Sequence, residues 1–383
     1  MNKLTIITLC LFVLMSCNRK NPRQNVPDSF EIQMDSIFSE FDNLNSPGYA
    51  IGISKNGNTI YKNGYGAANL DYNIPIETNS AISIASVSKQ FTAACIALLI
   101  IEDKITLETI AADYIPELKK YSDTLRIKHL IYNTSGLQDY NKVKRKSGKS
   151  WVTFNYFDIE ECINTSISED SLLFKPGEQW NYSNVNFMLL TKIVEKVSGQ
   201  SFSDFIKTRL FQPLNMNNTL INDDITSIIK NRVTPYNPRN KLYLDAYAEQ
   251  GFKLKNEGMY IQHSRNSPHY GGSGIVSTID DLLKWTSNME TKKFGGQKFY
   301  DLMHKTMKFK HERNNQAFGL YIGNYRDRKI VAWEGGDYGI SSQILRFPDE
   351  NVSIIVLSNL GSGEASRKAN SIADILIEKG VLQ

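Results

Sequence analysis

Ser83-Ile84-Ala85-Ser86-Val87-Ser88-Lys89-Gln90-Phe91-Thr92-Ala93, running on into the apolar stretch that ends at Ile101, is the segment on which the fold reading turns. From Ser86 to Asp103 the pattern is helical, so Ser86 and Lys89 stand three positions apart at a helix start. Residues at i and i+3 share a helix face, which lets the Lys89 amine approach the Ser86 hydroxyl. A serine hydroxyl is a poor nucleophile until a neighbouring base takes its proton, and a helix N-terminus favours the negative charge that develops. A second S-x-x-K, Ser227-Ile228-Ile229-Lys230, lies in a polar stretch with no apolar helix behind it and carries little weight.

Outward from this pair, the next chemical signal is Tyr182-Ser183-Asn184, preceded by Pro176-Gly177-Glu178 and Trp180. A tyrosine beside a lysine cation is expected to ionise more readily, because an opposite charge favours the phenolate. Tyr182 could then relay a proton to and from Ser86. Asn184 could either hydrogen-bond a substrate carbonyl or position Lys89. Tyr61-Lys62-Asn63 repeats the Y-x-N spacing, but in a predicted strand where a core or edge tyrosine is the ordinary reading.

The surrounding chain is organised simply. Phe30, Ile32, Met34, Ile37, Phe38 and Phe41 roughly fit one helix face. Residues 48–54 and 59–66 read as strands joined through Lys55-Asn56-Gly57-Asn58, a hairpin signal. From about 95 to 265 helices and loops dominate; 184–197, ended by Gly199, and 202–211 are the clearest helices, while 234–270 shows little periodicity. Strands return at 319–322, 330–333, 341–347 and 352–357, and a last helix is predicted over 369–378. Strands at both ends around a helical middle predict an α/β (α+β) domain over 29–383 with an inserted helical subdomain, and an active site between the two parts.

Several short blocks follow Ser86 in order: Asn133-Thr134-Ser135-Gly136-Leu137, Lys175-Pro176-Gly177-Glu178, Tyr182-Ser183-Asn184, Gly271 to Thr278, and Trp333-Glu334-Gly335-Gly336-Asp337-Tyr338-Gly339. With the S-x-x-K pair, itself a motif of β-lactamases and penicillin-binding proteins, they make the chain resemble the β-lactamase-related serine hydrolases from about residue 48 to 358. That group holds class C β-lactamases, D-alanyl carboxypeptidases, D-aminopeptidases and esterases. The resemblance implies a three-layer fold with a mainly antiparallel sheet flanked by helices. It also implies an acyl-enzyme on Ser86 with Lys89 and Tyr182 as catalytic partners, and an oxyanion hole from the Ser86 and Gly336 N–H groups.

Two blocks depart from the family pattern. The usual His-Thr-Ser-Gly reads Asn133-Thr134-Ser135-Gly136, a change expected to alter packing more than chemistry. The usual Lys-Thr-Gly or His-x-Gly strand motif reads Trp333-Glu334-Gly335. In the family that cation helps bind a carboxylate; Trp333 cannot, and Glu334 would repel one. An esterase or amidase acting on small neutral or peptide-like substrates is therefore the leading expectation. A D-alanyl carboxypeptidase or β-lactamase is the first alternative, and a non-catalytic ligand sensor the second. A Ser-His-Asp hydrolase is disfavoured because the chain has no G-x-S-x-G elbow.

At the N-terminus, Lys3 and the apolar run from Leu4 to Met15 are too short to span a bilayer comfortably and fit a signal peptide over 1–16. Leu14-Met15-Ser16-Cys17 resembles a lipoprotein lipobox, which implies acylation of Cys17 and a lipid-anchored protein on the periplasmic face, with 17–28 as tether. Of the remaining cysteines, Cys95 lies in an apolar run, where a buried free thiol is expected, and neither Cys95 nor Cys162 has metal-site spacing. The five histidines show no paired-ligand pattern, so no cofactor or metal is expected. With 22% charged residues, a net charge of +4 and no basic-aromatic block, nucleic acid is excluded as a partner. The expected partners are a small ester, amide or peptide and, through the lipid, a membrane.

Overall fold

The computed structural model describes residues 28–121, 124–146, 156–249, 251–255, 257–263, 268–307, 315–361 and 363–383; the signal segment, Cys17 and nearly all of the tether lie outside the described residues. The main sheet contains β1 (Tyr49–Lys55), β2 (Asn58–Tyr65), β3 (Tyr321–Tyr325), β4 (Arg328–Asp337), β5 (Ile340–Phe347) and β6 (Val352–Ser358). Their order is β3-β4-β5-β6-β1-β2, every neighbouring pair antiparallel, with Tyr49 opposite Ser358 where the two ends of the chain meet. The β1–β2 turn uses Asn56 and Gly57, both at positive φ, as a two-residue hairpin turn requires.

The alternation along the strands sorts two cores. Val352, Ile354 and Val356 of β6, with Leu345 and Phe347 of β5, face the helices α1 (Asp28–Phe38) and α5 (Ala365–Glu378). On α1 the residues Phe30, Met34 and Phe38 recur every four positions, and Phe38 stacks on Tyr65 at 4.8 Å. Ile32 points away, 68% exposed, so it does not belong to the predicted face. Ile355, Leu357, Ile344 and Val331 face the other way, onto α4 (Ile279–Thr291) and the helical layer built around α2 (Lys89–Ile101) and α3 (Asn184–Ser198). Apolar residues on both faces of an antiparallel sheet require cover on both sides, hence the three layers.

Helix α2 is buried from Lys89 to Leu99, as befits a helix apolar all round. Cys95 on it and Cys162 are buried free thiols. The helical middle extends past residue 265, to α4 and to a helix at Gly296–Met303. The aperiodic 234–270 stretch also contains a helix, Lys241–Ala248, of which only Tyr247 is buried. With so little burial, no apolar stripe marks it in the sequence. No helix among the described residues is long and apolar enough to cross a membrane.

Candidate active site

Ser86 sits in a tight turn, Ala85–Ser88, whose last residue leads directly into α2. The turn is clamped by three hydrogen bonds. Ile84 N–H donates to Ile275 O at 3.0 Å, Ile275 N–H donates to Ser88 Oγ at 3.2 Å, and Ser342 Oγ of β5 donates to Ile84 O at 2.8 Å. Ala85 holds φ at +44°, a conformation a residue with a Cβ adopts only when its surroundings impose it. The strain lies one residue before the nucleophile and presents Ser86, half-buried, to a cleft.

Lys89 is fully buried behind Ser86. Its Nζ lies 3.1 Å from Ser86 Oγ, 2.8 Å from Asn184 Oδ1 and 2.5 Å from Gly272 O. Three acceptors satisfy an ammonium. A neutral amine fits equally: two N–H groups donate to Asn184 Oδ1 and Gly272 O, and the lone pair faces the Ser86 hydroxyl. Burial pulls the amine down to about 7, against a smaller opposing effect of the Asp139 carboxylate, so both states are accessible near neutral pH. Asn184 thus takes the second of its two expected tasks and positions Lys89.

Tyr182 OH lies 2.7 Å from Ser86 Oγ, but the expectation that Lys89 holds it ionised is overturned. Burial pushes the phenol well above the usual tyrosine range, and the charges of Asp139 and Glu334 push the same way. Desolvation outweighs attraction to an amine that burial has itself made a poor cation. Tyr182 therefore stands beside Ser86 as a neutral phenol and not as a phenolate.

The Asn133–Gly136 block builds the wall that carries Tyr182. Asn133, at φ +55°, accepts from Asn181 N–H through its carbonyl and from Ser183 N–H and Asn186 Nδ2 through Oδ1. Ser135 Oγ donates to Asn186 Oδ1 at 2.6 Å. Asparagine tolerates the left-handed region better than most residues, so it suits this prop. Asp139, which the sequence did not single out, accepts from Asn184 N–H at 2.6 Å at the start of α3. An acid a few residues after the Ser-Gly block was the available signal.

Strand β4 closes the site. Its pairing with β3 stops at Tyr321 opposite Ala332, so the following Trp333 to Asp337 have no strand neighbour on that side. There a cleft of about 570 Å³ opens, lined by Ser86, Tyr182, Trp180, Trp333, Glu334 and Gly336 among others. Trp333 packs on the helical core while its Nε1 meets no acceptor among the described residues. Gly335 is pressed against the nucleophile turn: a Cβ there would lie against Ser342 Oγ, 2.6 Å from Ile84 O and 2.9 Å from Ser86 N. Gly336, beside it, is open to the cleft. The structure thus brings Ser86, Lys89, Tyr182, Asn184, Trp333, Gly335 and Gly336 together. Ser227 and Lys230 are exposed elsewhere, and Tyr61 bonds Tyr65 OH, away from the cleft.

The family model described as Beta-lactamase matches residues 34–379. Penicillin-binding protein 4* of Bacillus subtilis (strain 168) is 28% identical over 80% of this chain and 66% of its own length. A D-aminopeptidase of Gluconobacter oxydans (strain 621H) is 24% identical over 91% of this chain and 63% of its own. The chain therefore spans slightly less than two thirds of these relatives. The D-amino acid amidase structure from Ochrobactrum anthropi SV3 superposes with a TM-score of 0.76 at 18% identity, covering 91% of this chain and 99% of that one, which shows the shared β-lactamase/transpeptidase-like fold. Since the family model takes in both the nucleophile turn and the Trp333–Gly336 strand that closes on it, this chain belongs to the beta-lactamase family.

Proposed function

We propose that the chain is a serine hydrolase working through an acyl-enzyme on Ser86, an esterase or amidase for small neutral or peptide-like substrates. The observation that carries this is the Ser86 hydroxyl set between a buried amine at 3.1 Å and a protonated phenol at 2.7 Å, at the floor of a cleft. Lys89 takes the Ser86 proton as Oγ attacks the carbonyl carbon. The oxygen that gains charge is held by the N–H groups of Ser86 and Gly336, donors typically worth about 3 kcal/mol each in such sites. Tyr182 gives its proton to the departing oxygen or nitrogen, and the Lys89 ammonium restores it across Oγ. Water then repeats the sequence on the acyl-enzyme. The names of the D-aminopeptidase and amidase relatives support an amide-cleaving capacity.

A β-lactamase or D-alanyl carboxypeptidase is less well supported, because no Lys, Arg or His is among the described residues lining the cleft to receive a carboxylate. A non-catalytic sensor would have no need of an intact Ser86–Lys89–Tyr182 cluster. An alkyl fluorophosphonate is expected to label the protein on the peptide containing Ser86 and not on that containing Ser227. Label absent, or retained in Ser86→Ala, defeats the assignment.

The same proposal places the protein on the periplasmic membrane face, held by lipid on Cys17; the short apolar leader ending in Leu14-Met15-Ser16-Cys17 supports it. The mature protein is expected to partition into detergent and Cys17→Ser to stay in the aqueous phase. An unmodified N-terminus beyond residue 17, read by mass spectrometry, contradicts the anchor.

A further inference from the structure

Among the described residues Glu334 is the sole carboxylate that lines the cleft, it is exposed, and it pairs with none of them. A lone acid in a shared cleft sets its electrostatic sign. Lys89 stands behind Ser86 and is not itself part of the cleft lining.

A second acceptor stands beside it. Gln343 on β5 is directly opposite Glu334 in the β4–β5 register, so the two side chains rise from one face of the sheet about 5 Å apart at their Cβ atoms. Gln343 lines the same cleft and is 5% exposed. Its Nε2 donates to Ile344 O at 3.2 Å, which fixes the amide orientation, and its Oε1 meets no donor among the described residues. A buried acceptor left unpaired costs about 1–3 kcal/mol, so it is a place where an incoming donor is rewarded. Tyr321 and Tyr325, on β3, share the cleft and give it aromatic walls. A carboxylate, an orphan carbonyl oxygen and aromatic walls form a receptor for a cation that donates hydrogen bonds. Glu334 directly precedes Gly335, at which a Cβ would meet Ser86 N; successive side chains take opposite faces, so Glu334 stands across the free edge of β4 from Ser86, in the one cleft that both line.

We propose that Glu334 and Gln343 form a recognition site for a protonated amine carried by the substrate. This rests on the serine-hydrolase reading and narrows it from neutral or peptide-like substrates to amino-bearing esters and amides. An amine on the acyl side or on the leaving side would satisfy the same acceptors, and the test separates the two.

The experiment measures kcat/KM at pH 7, where an α-amino group is largely protonated, for two matched pairs. Alanine p-nitroanilide, in each enantiomer, against its N-acetyl derivative places the charge on the acyl side. The ester 2-(dimethylamino)ethyl butyrate against 3-methylbutyl butyrate places it on the leaving side. Wild type is expected to prefer the charged member of at least one pair by about ten-fold or more, the scale of a hydrogen bond to a charged group. Glu334→Gln is expected to erase most of that ratio through KM, the mark of a contact made equally in ground and transition states. Gln343→Leu should reduce it further. Survival of the preference in Glu334→Gln overturns the proposal, as does a wild type that favours the uncharged member of both pairs. If no pair is turned over while Ser86 still accepts the fluorophosphonate, the amine site is wrong and the hydrolase reading stands; if labelling fails as well, both fall.

Discussion

Replacing Lys89 with methionine is expected to lower kcat by about 10⁴-fold, the upper end of what a positioned general base contributes. Nζ is the basic atom placed 3.1 Å from Ser86 Oγ, and Tyr182, whose phenol burial keeps protonated, cannot replace it. The pH dependence carries a sign. An amine pulled down to about 7 is the free base above that pH and the idle ammonium below it. The kcat/KM of the wild type should therefore rise through about pH 7 and level off, and this limb should vanish in Lys89→Met. Methionine leaves Asn184 Oδ1 and Gly272 O without their donor, a loss of about 1–3 kcal/mol for each buried acceptor. It also removes an amine that is costly to bury, so a folded protein is expected. Stopped-flow or plate kinetics on a p-nitrophenyl ester across pH 5–9 checks both statements; an unchanged limb would show that the titrating group is another one.

Gly335→Ala should be the second large loss, about 10² to 10³ in kcat, the range for losing an oxyanion donor. The new methyl has nowhere to go: its neighbours are Ser342 Oγ, which donates to Ile84 O, and the backbone atoms Ile84 O and Ser86 N themselves. Relief requires moving the Ser86 N–H away from β4, and with it the donor that should meet the charged oxygen. Overpacking of this kind costs about 1–3 kcal/mol of stability, which a thermal melt reads separately from rate. Gly336→Ala is the contrast, since a Cβ there meets nothing within 4 Å. Equal kcat losses in the two variants would show that the clash at Gly335 is not what governs the rate.

What could be read before the structure follows from the distance over which each feature is encoded. The Ser86–Lys89 pair lies within one helical turn, and local spacing was enough to find it. Tyr182, Asn184 and the Trp333–Gly336 strand are far apart in sequence, and became legible through the order of the blocks around them. The protonation of Tyr182 was misread because a neighbouring lysine is visible in a sequence while the burial that overrides its charge is not. Asp139 was missed for a related reason: its partner, the Asn184 N–H, lies across the site. The helix α4 had its signals, a Thr278 cap accepting from Asp281 N–H and two acids in the first turn. Its stripe is blurred because Thr286 and Asn288 are buried beside Leu282, Leu283 and Met289.

The antiparallel pairing of β1 with β6 sets the timing of assembly during synthesis. Tyr49 is made 309 residues ahead of its partner Ser358. At roughly 5–20 residues per second, the β1–β2 hairpin waits tens of seconds as an isolated pair of strands, a unit marginal on its own in water. The Ser86 turn waits with it, lacking Ser342 to hold Ile84 O and Gly335 to back the Ser86 N–H. A chain that stops short of β4 and β5 therefore carries the Ser86 turn without Ser342 and Gly335 to back it.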